Sequence, residues 1–224
     1  MRAGDPPRIR PRAPAAPGLN TGVRRDVAKT SGVVLWELSE RLRLRQLLTR
    51  LYSVELRGAE HVPLTGPCIL VANHESLIDP WILSIATPRR VRFMAKAELW
   101  RYPGIRWAME AYGTFPIERG NGDTGAMSRA GELLAAGELL GMFPRGTSKP
   151  AGNRVWHRGA ARLALAHGVP LVPIRLVATR QLAARRPMRV LVGNAIEVAQ
   201  ERPTIAAARA LTARAKAAVE ALAW

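Results

Sequence analysis

The chain has a single cysteine, Cys68, which leaves no internal disulfide framework and no cysteine-built zinc site. It lies in the apolar run Cys68-Ile69-Leu70-Val71-Ala72 and reads as a small buried hydrophobe. Acids are scarce: 17 Asp and Glu face 34 Lys and Arg, a net charge of +17 that calls for an acidic partner or surface. Nucleic acid and anionic lipid headgroups are the main candidates. Long hydrophobic runs are missing too, so no transmembrane helix is expected. The N-terminal arginines have no apolar segment behind them, which argues against a secretory signal. The protein is therefore expected in the cytoplasm, free or held to a membrane surface. Hydrophobic residues make up 48% of 224, a globular composition sufficient for one domain with a sizeable core.

Residues 1–30 are rich in Pro, Arg, Ala and Gly, as in Pro6-Pro7-Arg8-Ile9-Arg10-Pro11-Arg12, and read as a flexible basic tail. The folded domain is expected over residues 31–224. Its first part, 31–52, carries Leu35, Leu38, Leu42, Leu44, Leu47, Leu48 and Leu51 at helical spacings with Arg41, Arg43, Arg45 and Arg50 between them. Such a basic amphipathic helix either lies in a membrane interface or packs its leucines on the domain. Beyond it, short apolar runs alternate with helical patterns: strands near Val54–Arg57, Cys68–Ala72, Arg92–Ala95, Leu139–Phe143, Pro170–Ile174 and Val190–Val192. Helices are expected near Trp81–Ala86, 97–112 with a break at Pro103-Gly104, 123–136, Gly159–His167 and from Thr204 onward. Trp100, Tyr102, Trp107 and Met109 are read as core, with an acyl-lining groove as the alternative. The alternation implies an α/β fold, a single-domain mixed sheet flanked by helices with an N-terminal amphipathic helix.

The most informative stretch is Asn73-His74-Glu75-Ser76-Leu77-Ile78-Asp79, between the Cys68 strand and the helix after Pro80. A polar turn leading from a strand into a helix is where open α/β sheets place their chemistry. One turn brings His74 and Asp79 within hydrogen-bonding reach, and a neutral histidine oriented by a carboxylate is a general base for a hydroxyl. A plainer reading stands beside this one. Asp79 caps the next helix with Pro80 at its first position, and Ser76 completes a capping pattern.

The polar turns at strand ends form an ordered set that resembles the four sequence blocks of the glycerolipid acyltransferase family, lysophosphatidic acid acyltransferases among them. Asn73, His74 and Asp79 match the N-H-x4-D block. Gly113, Ile117 and Arg119 match the second block, with Pro116 at its usual Phe position and Phe115 one residue early. Phe143-Pro144-Arg145-Gly146-Thr147 matches F-P-E-G-T except at Arg145, and Val169-Pro170-Leu171-Val172-Pro173-Ile174 matches the fourth, Val/Pro-rich block. The resemblance implies acyl transfer from acyl-CoA or acyl-carrier-protein to a lysophospholipid hydroxyl, most directly 1-acylglycerol-3-phosphate. His74 would be the base and Asp79 its orienting partner. Asn73, Gly113, Arg119, Arg145, Gly146 and Thr147 would contact substrate, Arg119 through the acceptor phosphate. No metal and no cofactor beyond the thioester co-substrate is implied.

Arg145 reverses the family's charge, and an arginine cannot accept a hydrogen bond from a glycerol hydroxyl. A different lipid or glycolipid acceptor, or a non-catalytic lipid-binding role, is the rival this raises. A nucleic-acid-binding role finds no supporting signature, since the arginines are not interleaved with aromatics. The expected setting is peripheral, on an anionic membrane at its cytoplasmic face. Residues 1–52 hold eleven Lys and Arg against four acids. Each basic residue near an anionic surface contributes about 1 kcal/mol, screened by salt. The full chain is thus expected to bind anionic vesicles in a salt-sensitive way, and deletion of residues 1–52 to weaken that binding in a flotation assay. Unchanged binding would place the contact elsewhere.

Overall fold

The structure, a computed structural model, describes residues 44–51, 53–117, 124–148, 155–180 and 187–224. The expected basic tail, most of the amphipathic helix and Arg119 lie outside them. Among the described residues seven strands, β1 (Glu55–Arg57), β2 (Cys68–Ala72), β3 (Val91–Lys96), β4 (Phe115–Ile117), β5 (Leu139–Met142), β6 (Leu171–Val177) and β7 (Arg189–Val192), form one sheet in the order β1-β7-β6-β2-β5-β3-β4. All neighbours run parallel except β6 and β7, so the sheet is mixed, as the alternating pattern implies. Continuous apolar runs become the central strands because both of their faces are covered. Every residue of β2 and β5 is buried.

Among the described residues the helices are α1 (Leu44–Leu51), α2 (Asp79–Ser84), α3 (Pro103–Ala111), α4 (Thr124–Ala135), α5 (Gly159–His167) and α6 (Ile205–Ala221). Their ends follow local chemistry. Thr204 caps α6, its Oγ1 accepting from the Ala207 amide at 3.1 Å. Gly168 ends α5 at φ 61°, a left-handed conformation that glycine reaches without a Cβ penalty. Pro103 is the first residue of α3, where its missing N–H costs nothing, so the expected break in 97–112 falls at Tyr102. No helix among the described residues is long and apolar enough to cross a membrane.

Two cores fill the two faces of the sheet. Ile82 and Leu83 of α2 pack with Leu70, Val91, Phe93 and Val172 on one face. Ala130 and Leu134 of α4, Leu163 and Ala164 of α5, and Leu211 and Ala215 of α6 pack with Ile69, Val71 and Leu140 on the other. The aromatics near α3 do not join either core as expected. Tyr102 is 60% and Trp107 62% exposed, because 97–112 ends in a short 3-10 turn and a helix at the edge of the sheet, beside the last strand pair.

This arrangement creates a crevice. Adjacent strands β2 and β5 run parallel, yet α2 after β2 lies on one face and α5 after β5 on the other. Their outgoing loops part at the carboxyl ends, which is where open α/β sheets bind ligands. At the opposite end, Arg89 fastens the incoming loops. Its guanidinium donates to the carbonyls of Pro63 (2.7 Å), Gly66 (2.7 Å) and Gly137 (2.9 Å). Charged donors of this kind each stabilise by more than a neutral one. Arg89→Ala is expected to lower the unfolding free energy by about 2 kcal/mol in urea titration. Arg89→Lys should recover less than half, since a single ammonium cannot fan across three carbonyls; a loss below about 0.5 kcal/mol would contradict this.

Candidate active site

The turn after β2 is built around Asp79. Its carboxylate is fully buried, and Oδ2 accepts three hydrogen bonds: from the Glu75 amide (2.6 Å), the Ser76 amide (2.8 Å) and His74 Nδ1 (2.8 Å). The capping alternative is thereby resolved. α2 begins at Asp79 itself, and the carboxylate turns back onto the preceding turn instead of forward onto the helix's own amides. The three donors hold the anion, and the anion fixes the proton of His74 on Nδ1.

The other ring nitrogen, Nε2, bonds to no protein group among the described residues, and the side chain is 15% exposed. The arrangement leaves a basic lone pair at the crevice. The ring is also held on its face: Phe143, the residue after β5, stacks on it with centroids 4.4 Å apart and planes at 24°. Phe93 stacks on Phe143 in turn, at 6.1 Å and 10°. Gly141 makes room for this column, because a Cβ there would fall inside the Phe93 ring. Phe143 was visible in the third block, but nothing in the sequence assigned it to the histidine.

Asn73 belongs to the turn's scaffold. Its Oδ1 accepts from the Leu176 amide at 2.8 Å, and its Nδ2 donates to the Leu176 carbonyl at 2.8 Å and to Glu75 Oε1 at 3.3 Å. The side chain continues the β2–β6 ladder past the Ala72–Ile174 pair, so its amide engages strand backbone where the sequence reading had it contacting substrate. Gly146, at φ 69°, closes the turn after β5 by donating its N–H to the Phe143 carbonyl at 2.8 Å. Arg145 and Thr147 are half-buried members of the same loop.

Gly113 is not brought to His74. The strand register places it level with Ile69, five residues before His74 and therefore roughly 16 Å away along the strand direction. It turns the chain at φ 73° against the side chains of Arg90 and Arg92. Arg90 there has its pKa lowered to about 10, chiefly by burial and then by Arg92. Cys68 is no rival nucleophile. It is buried, and that burial pushes its thiol up to about 12, so the neutral form persists.

Residues 53–177 match the model of the Acyltransferase family. The chain is 32% identical over 135 residues to a chloroplastic 1-acyl-sn-glycerol-3-phosphate acyltransferase of Brassica napus, covering 58% of this chain and 39% of that one. It thus spans about two fifths of the plant protein's length. It is 34% identical over 166 residues to the lyso-ornithine lipid O-acyltransferase of Pseudomonas aeruginosa, covering 67% of this chain and 64% of that one. The fold is similar to the crystal structure of the 1-acyl-sn-glycerophosphate acyltransferase PlsC from Thermotoga maritima. The TM-score is 0.60 at 23% identity, over 90% of this chain and 84% of that one.

Asp79 Oδ1 makes no hydrogen bond. In Asp79→Asn the amide nitrogen can therefore take its place while the carbonyl oxygen keeps the three donors on the other side. The fold should survive, with Tm within about 5 °C of wild type, while the negative charge that supports the imidazolium is gone. Any turnover dependent on His74 should fall about 10²-fold or more. A variant that unfolds, or one that keeps full turnover, would contradict this reading of the site.

Proposed function

Because the chain belongs to the Acyltransferase family, we propose that it transfers an acyl group from a thioester to a lysophospholipid hydroxyl, foremost converting 1-acylglycerol-3-phosphate to phosphatidate. The observation that carries this is the 2.8 Å bond from His74 Nδ1 to the buried Asp79 carboxylate, at the carboxyl ends of β2 and β5. In the reaction, His74 Nε2 takes the proton of the acceptor hydroxyl. The oxygen attacks the thioester carbonyl, and a tetrahedral oxyanion forms. Its collapse breaks the carbon–sulfur bond, and the departing thiolate takes the proton back from the imidazolium. An ester and a free thiol result. Asp79 stays ionised throughout and stabilises the charged ring. Base assistance of this kind is worth roughly 10²- to 10⁴-fold. The direct attack needs no acyl-enzyme.

The donor is acyl-CoA or acyl-carrier-protein, and the chain's charge of +17 suits the phosphates of one and the acidic surface of the other. Arg119, which follows β4 by two residues, is the proposed ligand of the acceptor phosphate, a planar fork matched to that anion. Gly146 and Thr147 are proposed at the acceptor's polar head. The chain is proposed to work peripherally on an anionic membrane, at its cytoplasmic face.

Arg145 favours a second reading. It stands where the family pattern has an acid, and the Pseudomonas relative is named for a lyso-ornithine lipid acceptor. Another lysolipid is therefore the alternative substrate.

The test is purified full-length protein with labelled acyl-CoA and a panel of lysolipids, products read by mass. Lysophosphatidate is expected as an acceptor, and His74→Ala is expected to lose at least about 10²-fold in kcat while staying folded. Near wild-type turnover in the folded variant would refute the mechanism. Arg119→Ala should raise the acceptor KM several-fold more than the thioester KM; an equal rise in both would move Arg119 off the acceptor phosphate.

A further inference from the structure

We propose that Arg180 is a positioning residue for this reaction, a strap across the crevice that locks the two loops holding His74. The proposal rests on the acyl-transfer reading and adds a residue outside all four sequence blocks. Arg180 lies three residues beyond the end of β6. Its Nε donates to the Glu75 carbonyl at 2.7 Å, and its Nη2 donates to the Ser148 carbonyl. Each partner belongs to a loop that fixes one aspect of the imidazole. Glu75 sits in the β2 turn, and its own N–H is one of the three donors to Asp79 Oδ2, the atom that orients His74 Nδ1. Ser148 ends the described part of the loop after β5, which begins with Phe143, stacked on the imidazole face. One guanidinium thus ties the loop that sets the edge of the ring to the loop that sets its face.

The side-chain chemistry fits a strap. A guanidinium is a rigid planar fork whose Nε and Nη2 protons can reach two acceptors on different chain segments. Both acceptors here are carbonyls, and no ion pair joins Arg180 to a carboxylate among the described residues. An exposed arginine needs no such anchoring to be soluble, so the two bonds are a property of the loops it joins.

The backbone that delivers Arg180 carries a cost of its own. Ala178 has φ 65°, a left-handed conformation unfavourable for a residue with a Cβ. The side chain of Thr179 is fully buried, and its Oγ1 has no hydrogen-bond partner. Strain of this sort persists where surrounding contacts over-determine it, and it clusters at functional sites. Glycine at 178 or valine at 179 would relieve these features locally. The chain keeps the tight exit from β6 that brings residue 180 over the crevice. A positioning fault of about an ångström at a reacting base is enough to cost on the order of 10²-fold in rate.

The experiment uses the full chain with acyl-CoA and the best acceptor from the lysolipid panel, comparing wild type, Arg180→Lys, Arg180→Gln and Arg180→Ala. Arg180→Ala is expected to lose roughly 10- to 100-fold in kcat, with both KM values within about twofold and Tm within a few degrees. Millimolar guanidinium should restore part of the lost kcat in Arg180→Ala, and Arg180→Lys should fall between wild type and Arg180→Gln. Amide exchange at Glu75 and Ser76 should quicken in Arg180→Ala. An unchanged kcat would overturn the proposal. So would a raised acceptor KM with kcat intact, which makes Arg180 a substrate-binding cation. A large drop in Tm without guanidinium rescue makes it a general structural residue and overturns the proposal too. Wild-type protein inactive on every acceptor would instead overturn the acyl-transfer reading itself, and the role assigned to Arg180 would fall with it.

Discussion

A buried carboxylate with nothing to neutralise it is expensive, and the rest of the site is arranged around that fact. Asp79 is out of contact with water, and its Oδ2 is satisfied by two backbone amides and one imidazole. The amides of Glu75 and Ser76 converge on it only if the turn closes on the start of α2, so satisfying the charge and shaping the turn are the same event. The histidine is the third donor, and its tautomer follows from its being a donor at all. The geometry of the His74–Asp79 pair is therefore a consequence of solving a burial problem.

The sheet places this turn where a substrate can reach it. β2 lies at the centre, with β6 and β5 as parallel neighbours, and both supply parts of the setting. β5 delivers Phe143 to the imidazole face, on a column that Gly141 and Phe93 make possible. β6 delivers Leu176, whose backbone both donates to and accepts from Asn73. Because these contacts reach the turn from three strands of one sheet, the histidine is held by the sheet as well as by its loops. Support of that kind suits the general-base role proposed for His74, which requires meeting a hydroxyl in the same pose at every turnover.

Much of this was readable in the residues. The strand at Cys68–Ala72, the helix Gly159–His167 ended by Gly168 and the helix entered at Thr204 all follow from apolar spacing and capping chemistry. The approach of His74 and Asp79 was legible as well, though not the direction in which the carboxylate turns. What failed to show depends on contacts distant in sequence. Asn73 meets Leu176 across 103 residues, a pairing fixed by the strand order. Gly113 carries a block's glycine but lies at the opposite end of the strands from His74, which only the register reveals. Tyr102 and Trp107 look like core residues by type, yet they fall at the edge of the sheet and stay exposed. The stack of Phe143 on His74 joins two blocks that sequence could only place in order.

The central claim is that Asp79 holds the His74 proton on Nδ1 and leaves Nε2 bare to act as a base. Nitrogen NMR of histidine-labelled full-length protein, with His74 assigned by comparison to His74→Ala, tests this without any assay of turnover. The account predicts that the neutral form of the ring carries its proton on Nδ1 and leaves Nε2 unprotonated. A His74 ring carrying its proton on Nε2 with Nδ1 bare would contradict it, since no proton would then stand between the imidazole and the buried carboxylate.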